Sequence, residues 1–223
     1  MKFLAAKAIR INKIIQDTGM YSRREVDTLI ETYKVLVNGR HAKLGQIVKV
    51  GDNIDVQAQD KKMQYCLYYK PRGEVTGEDN RDKLKGMHPI GRLDKESEGL
   101  LIYTNDTTIV DLMLNPKNKI QKEYKVKIRE KATPRVERIL LEGVYTQEAK
   151  YAPVENFRMS EDGYNLFITL TEGKKHEIRR MLNALNLTIV SLTRIRIETF
   201  KISNMKPGQM RDIIREDFER FRK

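Results

Sequence analysis

The segment GRLDKESEGLLIYTND, residues 91–106, indicates the fold of this chain more clearly than any other part of it. It begins as a polar loop that contains Asp94 and continues into the apolar run Leu100–Thr104, which is typical of a buried strand. Asp106 follows the strand and is suited to cap a short helix over residues 107–114. A buried strand followed at once by a helix predicts a sheet that has helices packed against it.

Strand patterns recur on both sides of this segment. Four further runs are apolar or alternate between apolar and polar residues: Tyr65–Tyr69, Glu123–Arg129, Leu166–Leu170 and Leu187–Phe200. Two helices interrupt them, one that begins at Pro134 and ends at Gly143, and one that follows Gly173 with an apolar stripe over Ile178–Leu185. The order of these elements predicts an α+β domain whose largely antiparallel mixed sheet is flanked by helices.

The N-terminal part of the chain predicts a small helix–helix–hairpin domain. An isoleucine-rich helix comes first, and a second helix begins at Ser22, which can form a capping box with Glu25. Asn38-Gly39 is a strong signal for a hairpin turn, and a strand–turn–strand pattern around Gly51 follows it. The polar segment Gln57–Lys62 is typical of a linker. The expected domains are residues 1–58 and residues 63–223.

The charge of the chain points to nucleic acid as its partner. Its 43 lysines and arginines exceed its 31 acidic residues, so the formal net charge is +12 and the sequence pI is about 9.6. Such an excess suits phosphate neutralisation, although a merely basic, well-solvated protein has the same charge. The basic residues of the N-terminal domain that can meet RNA phosphates, or form an ordinary solvated face, are Arg10, Lys13, Arg23, Arg24, Lys34, Arg40 and Lys43.

Several other classes of protein are disfavoured. Cys66 is the only cysteine, so no internal disulfide can form and a cytoplasmic location is predicted. The sequence has no long apolar run, so neither a signal peptide nor a membrane partner is expected. The three histidines show no metal-ligand spacing and there is no glycine-rich phosphate loop, so we expect no metal and no cofactor. A monomer is predicted, because no long apolar heptad pattern is present.

Asp94 is the candidate catalytic group, and its residue type allows two interpretations. A carboxylate near the mouth of a strand can act as a nucleophile or as a base. A loop aspartate can equally bond to its own backbone as a turn residue, which is the commoner role. Arg92, two residues earlier, gives the loop a cation.

The N-terminal domain resembles the S4 domain. The resemblance rests on the order of a helix, Ser-Arg-Arg-Glu at residues 22–25, an apolar helix, Val-Leu-Val-Asn-Gly-Arg at residues 35–40 and Val-Gly-Asp-Asn-Ile at residues 50–54. It covers nearly the whole domain. It implies docking to structured RNA, without indicating which RNA.

The segment of residues 91–106 resembles the signature loop of the pseudouridine synthases, in particular the RsuA-like family that modifies ribosomal RNA. Four more motifs match that family in order: KPRG at 70–73, KEY at 122–124, GKKHEIRRM at 173–181 and LTRIR at 192–196. The resemblance implies isomerisation of a uridine to pseudouridine, in ribosomal RNA or a pre-ribosomal particle, with the uridine flipped out of its helix. It also implies that no cofactor is needed.

The resemblance implies roles for three catalytic residues. Asp94 is the catalytic carboxylate, which either attacks the sugar or helps to remove its proton. Arg179 pairs with that carboxylate through two parallel hydrogen bonds and keeps it ionised, unless it is an exposed helix arginine. Tyr124 stacks on the uracil and reaches a ring atom that loses a proton, but its shared face with Val126 and Ile128 fits a core tyrosine equally well.

Three further residues are implied to bind the substrate. Arg92 fills the space that the flipped uridine leaves, or else contacts a phosphate. Leu192 packs against the base, or else belongs to the core. Arg180 contacts phosphate.

Two features depart from the family pattern. The loop between Gly73 and Gly91 is short, so contacts that relatives make there can be missing. Glu177 stands where relatives usually carry glutamine, and its carboxylate could compete with Asp94 for Arg179.

Other functions remain open from the sequence. A non-catalytic RNA-binding or ribosome-assembly protein could use the same fold, and a synthase could act on transfer RNA. A metal- or thiol-dependent RNA enzyme is disfavoured by the single cysteine and the scattered histidines.

Overall fold

A computed structural model of the chain describes residues 1–58, 61–78, 84–146 and 149–221. The chain divides into two compact units. The first comprises Met1–Tyr65, Thr104–Leu112 and Ile214–Arg222, and the second comprises Cys66–Tyr103 and Met113–Ile213. The domain limits of 1–58 and 63–223 stay a prediction. The sequence did not indicate that Thr104–Leu112 and Ile214–Arg222 belong to the first unit.

The described residues form seventeen strands and five α-helices. The strands are β1 (Lys2–Leu4), β2 (Ile9–Arg10), β3 (Val35–Val37), β4 (Arg40–His41), β5 (Ile47–Val48), β6 (Asn53–Val56), β7 (Tyr65–Lys70), β8 (His88–Pro89), β9 (Glu98–Thr104), β10 (Lys122–Ile128), β11 (Val144–Tyr145), β12 (Lys150–Tyr151), β13 (Asn156–Met159), β14 (Asn165–Leu170), β15 (Ile189–Ile197), β16 (Phe200–Lys201) and β17 (Met210–Asp212). The helices are α1 (Ile11–Gln16), α2 (Arg23–Glu31), α3 (Thr107–Leu114), α4 (Pro134–Glu142) and α5 (Glu177–Ala184).

The first unit contains the predicted helices and hairpin. The Ser22 backbone N–H donates to Glu25 Oε2 at 2.8 Å and the Glu25 N–H donates to Ser22 Oγ at 3.4 Å, which confirms the capping box at the start of α2. Asn38 and Gly39 both have positive φ and join β3 to β4, which confirms the hairpin. The strand–turn–strand pattern around Gly51 is confirmed as β5, a turn and β6, although these two strands do not pair with each other, because β5 pairs with β2 whereas β6 pairs with β1 and β3.

A buried carboxylate organises the later segments of the first unit. Asp106 is fully buried, and its Oδ1 accepts from the Thr108 N–H at 2.9 Å, which caps α3 as predicted. The Tyr65 hydroxyl donates to Asp106 Oδ2 at 2.8 Å, and Arg215 forms an ion pair with the same carboxylate. Gly19, at φ +80°, packs here as well, since a Cβ on it would lie only 2.5 Å from Thr108 Cγ2.

The second unit is built on a mixed sheet in the order β13-β14-β10-β15-β9-β7-β17. β10 pairs antiparallel with β14 and β15, whereas β15 and β9 run parallel. At that parallel contact Gly99 has φ +116°, and a Cβ there would lie 2.4 Å from the Arg194 carbonyl oxygen. Glycine is therefore required where the strand that follows the Asp94 loop meets β15.

Two helices cover part of this sheet. Val136 and Leu140 of α4, with Ile178, Met181 and Leu182 of α5, belong to one buried cluster with the inward residues of β10 and β14. The alternation on β10 is as predicted, with Val126 and Ile128 buried and Lys125 and Lys127 exposed. The α+β class with a largely antiparallel mixed sheet is confirmed.

Candidate active site

The loop that carries Asp94 is braced from both sides before β9 begins. The Thr76 hydroxyl donates to the Leu93 carbonyl oxygen at 2.7 Å and accepts from the Leu93 N–H at 3.1 Å. The Gly73 N–H donates to the Lys95 carbonyl oxygen at 2.7 Å. The backbone on either side of Asp94 is therefore tied to the short upstream loop, of which residues 79–83 lie outside the described ranges.

An imidazole and a guanidinium face the Asp94 carboxylate. His176 Nε2 lies 3.3 Å from Asp94 Oδ1, and Arg179 Nε lies 3.6 Å from Asp94 Oδ2. About a third of the Asp94 side chain, 37%, is exposed in the chain without RNA. The carboxylate is thus positioned between these two side chains but still open to solvent, so a substrate can approach it.

Arg179 divides its guanidinium between two residues of the same loop. Its Nη2 donates to Ser97 Oγ at 2.9 Å, and Ser97 is almost fully buried. The two parallel hydrogen bonds expected to Asp94 are not formed, because 3.6 Å is beyond hydrogen-bond distance and the fork is shared with Ser97. The ion pair itself is present. Catalytic contacts of this kind often tighten only when substrate binds.

The start of α5 sets the position of these two side chains. His176 precedes the helix with φ 57° and ψ 26°, a left-handed conformation that is uncommon for residues other than glycine, although histidine adopts it more often than most. The next residue, Glu177, is buried, and its Oε2 accepts from the Lys174 N–H at 3.0 Å. Glu177 thereby bonds to the backbone before the helix, while the ion pair described for Arg179 is with Asp94.

Burial raises the pKa of Glu177, against the opposing effect of the Lys174 N–H. We expect Glu177→Gln to increase the free energy of unfolding at pH 7 by about 1 kcal/mol, because the amide removes a buried charge and still accepts that bond. A raised pKa means that the folded state binds the proton more tightly than the unfolded state. The gain should therefore be fully present above the folded pKa, shrink as pH falls from there towards 4.5, the ordinary value, and be absent below it.

Urea unfolding of both proteins at pH 7 and pH 4 tests this prediction. Glu161→Gln is a suitable control, because Glu161 is exposed and is not among the charges that shift the pKa of Glu177. A stabilisation by Glu177→Gln that is the same at both pH values would contradict the charge-burial explanation.

Tyr124 and Leu192 line the same cleft, which has a volume of about 710 Å³. Tyr124 is half-buried on β10, and Leu192 is 6% exposed on the neighbouring strand β15. Both side chains also belong to or pack against the apolar cluster under the sheet. The core and cleft interpretations are therefore compatible, because each residue lies where the core meets the cleft.

The arginines with proposed substrate roles are separated. Arg92 is exposed and lines the cleft beside Asp94. Arg180 is exposed and lies outside the residues that line the cleft; its Nη1 donates to the Tyr151 hydroxyl at 3.5 Å. A shallow surface groove that Arg180 shares with Arg179 and His176 is where it could meet RNA.

Most of the basic residues predicted to bind RNA in the first unit are accessible. Lys13 is half-buried, and its Nζ lies 2.7 Å from Asp17 Oδ1. The exposed ones are Arg10, Arg23, Arg24, Lys34, Arg40 and Lys43. Arg23 and Arg24 begin α2, where they extend from the surface of the unit. These positions suit phosphate contacts, and RNA binding by them stays a prediction.

The sequence did not identify three residues of the site. Thr76 and Ser97 are common loop residues, and their roles arise from contacts with Leu93 and Arg179 that are distant in sequence. His176 lies within the motif at 173–181 that contains Arg179, yet nothing in the pattern indicates its left-handed backbone. In the described ranges, no three histidine, cysteine or acidic side chains come together as a metal-binding set.

None of the helices among the described residues combines the length and hydrophobicity that crossing a bilayer requires.

Comparison with known proteins gives a consistent result for both units. Residues 53–184 match the RNA pseudouridylate synthase family, and residues 9–54 match the S4 domain. The chain is 30% identical to the ribosomal large subunit pseudouridine synthase B of Bacillus subtilis, over 96% of this chain and 95% of that protein. It is 32% identical to the dual-specificity RNA pseudouridine synthase RluF of Escherichia coli K12, over 94% of this chain and 77% of that protein.

A solved structure has the same fold. The crystal structure of a pseudouridylate synthase aligns with a TM-score of 0.70 over 96% of this chain and 99% of that one, at 24% identity.

Proposed function

The chain belongs to the RNA pseudouridylate synthase family, and from this premise we propose that it isomerises a specific uridine of ribosomal RNA to pseudouridine. The observation that carries the proposal is the Asp94 carboxylate, held between His176 and Arg179 at one end of a cleft that Tyr124 and Leu192 also line. The named relatives are a large-subunit and a dual-specificity RNA synthase, and both support RNA as the substrate.

The reaction breaks the C1′–N1 bond of the uridine and forms a C1′–C5 bond to the same uracil. C5 then loses a proton and N1 gains one, so the product is an isomer and no group is consumed. Asp94 serves either as the nucleophile at the sugar or as the base that removes a sugar proton. In both cases it acts as a carboxylate, and the guanidinium of Arg179 lies beside it at 3.6 Å.

The other cleft residues bind and orient the base. Tyr124 offers a ring for stacking and a hydroxyl that reaches the atom losing its proton, while Leu192 packs on the uracil. Arg92, exposed at the cleft, fills the gap in the RNA stack after the uridine flips out. Arg180 binds a phosphate outside the cleft. These assignments rest on position and on the family resemblance.

The first unit docks the RNA through its exposed basic residues, and this binding should weaken as salt rises. We further propose a monomer that works in the cytoplasm on a pre-ribosomal particle or on free ribosomal RNA.

A map of pseudouridine in total ribosomal RNA, from cells with and without the gene, tests the function. Carbodiimide labelling should lose one site when the gene is absent and regain it when the gene is restored. If every ribosomal site persists, the proposal is contradicted, and the same map on small RNAs would distinguish a transfer-RNA substrate from a protein that only binds RNA.

A further inference from the structure

A second cavity of about 610 Å³ adjoins the cleft within the second unit. The two cavities share Gly91, Arg92, Tyr124, Glu172, Gly173 and Lys174. Beyond this boundary, buried apolar side chains form much of the wall: Ile90, Ile102, Met113, Ile120 and Ile197. Its volume is in the range of small-molecule sites, so it can hold a group the size of a nucleotide.

The cavity carries an excess of positive charge. Its lining includes five cations, namely Arg92, Lys119, Lys122, Lys174 and Arg194, and one carboxylate, that of Glu172. Glu172 is already paired, because its Oε2 lies 2.7 Å from Lys174 Nζ. An apolar wall with unbalanced cations suits a ligand that is partly flat and apolar and partly anionic.

Arg194 gives the strongest sign of a missing ligand. Arg194 is only 4% exposed, and its Nε donates to the Leu100 carbonyl oxygen at 2.7 Å. Its Nη2 is also buried, but it has no hydrogen-bond acceptor among the described residues. A buried charged donor without an acceptor is costly, and since Arg194 lines the cavity, an anion bound there would offset the positive charge of its guanidinium.

Lys122 is a second cation that lines the same cavity as Arg194. It lies on β10 opposite Ile197, and its Nζ donates to the Thr171 carbonyl oxygen at 3.3 Å. Burial lowers the pKa of Lys122 and the Arg194 guanidinium lowers it further, while Glu198 and Glu177 act in the opposite sense. The positive charges of Lys122 and Arg194 repel each other, and a phosphate bound near both would stabilise both charges.

We propose that this cavity binds the nucleotide next to the target uridine, with its phosphate near Lys122 and Arg194 and its base against the apolar wall. The proposal rests on the proposed function for the identity of the RNA. The two cavities meet at Arg92 and Tyr124, so an RNA strand that leaves the cleft enters the second cavity directly. The enzyme then unstacks two adjacent nucleotides, and part of its choice of site depends on the neighbour.

Lys122→Met in the full chain tests the proposal, with Lys127→Met as the matched control. Lys127 lies on the same strand but is exposed, and the alternation of β10 turns it to the opposite face. The probes are a ribosomal RNA fragment that the unmodified protein binds and copies with one neutral methylphosphonate at each successive linkage.

We expect Lys122→Met to weaken RNA binding about tenfold. The slope of log affinity against log salt concentration should become shallower by about the amount expected for one phosphate contact. One methylphosphonate position should weaken binding to the unmodified protein by a similar factor and have no further effect on Lys122→Met. Lys122→Arg, which keeps the charge, should restore sensitivity to that position. Lys127→Met should respond to every linkage as the unmodified protein does.

If every neutral linkage weakens Lys122→Met as much as the unmodified protein, the phosphate site is overturned. Thermal unfolding of Lys122→Met shows whether its weaker binding comes from a loss of folding. If Lys122→Met is unfolded, the proposal is tested by whether Lys122→Arg is sensitive to the same methylphosphonate position. The binding measurement does not need turnover. An unmodified protein that binds this RNA but forms no pseudouridine contradicts the proposed function and leaves the cavity test intact.

Discussion

Asp94→Asn should abolish pseudouridine formation, with a fall in kcat of about 10⁴-fold or more. The asparagine is nearly the same size and can keep the position of the loop, but it lacks the negative charge that both candidate roles require. RNA binding should change little, because the phosphate contacts proposed here lie elsewhere. Single-turnover formation of pseudouridine and RNA affinity, measured on the same preparation, test both parts.

Glu96→Gln is the control for this substitution. Glu96 lies in the same loop with 60% of its side chain exposed, and it pairs with Arg72 at 3.1 Å, a surface contact of small energetic value. Its kcat should stay within about twofold of the unmodified protein. Normal turnover by Asp94→Asn would show that the assignment of the catalytic residue is wrong, while lost RNA binding with an intact fold would indicate that Asp94 acts in recognition.

Arg179→Lys should lower kcat by about 10²- to 10³-fold, although it keeps the positive charge. The arginine reaches Ser97 Oγ and the Asp94 carboxylate with different nitrogens of one rigid plane. A lysine ammonium is a single point that cannot replace both contacts, so Asp94 would lose its fixed orientation.

Asn183→Ala provides the comparison, because Asn183 is exposed one turn further along α5. It should leave kcat unchanged while reporting any general effect of altering the helix surface. A kcat for Arg179→Lys within tenfold of the unmodified protein would mean that the shared guanidinium fork is not needed for the reaction.

Regular local patterns allowed much of the fold to be predicted. The capping box of Ser22 and Glu25 and the turn at Asn38-Gly39 depend on residues close in sequence, and the structure contains both. The strand–turn–strand around Gly51 is present as well, but the sequence did not indicate the partners of its strands. Each of them pairs with other strands of the unit and not with its neighbour, and apolar alternation does not specify a partner.

The sequence by itself determined the elements, the family resemblance and the candidate residues Asp94, Tyr124 and Arg179. The tertiary structure alone decided their surroundings. Ser97 takes one arm of Arg179, and His176 approaches Asp94 from a left-handed position. Arg194 lines a second cavity, and its buried Nη2 has no hydrogen-bond acceptor among the described residues, which is likewise a feature of the tertiary structure. Such contacts join residues about 80 or more positions apart, and their distances depend on how whole strands pack, which local sequence patterns do not encode.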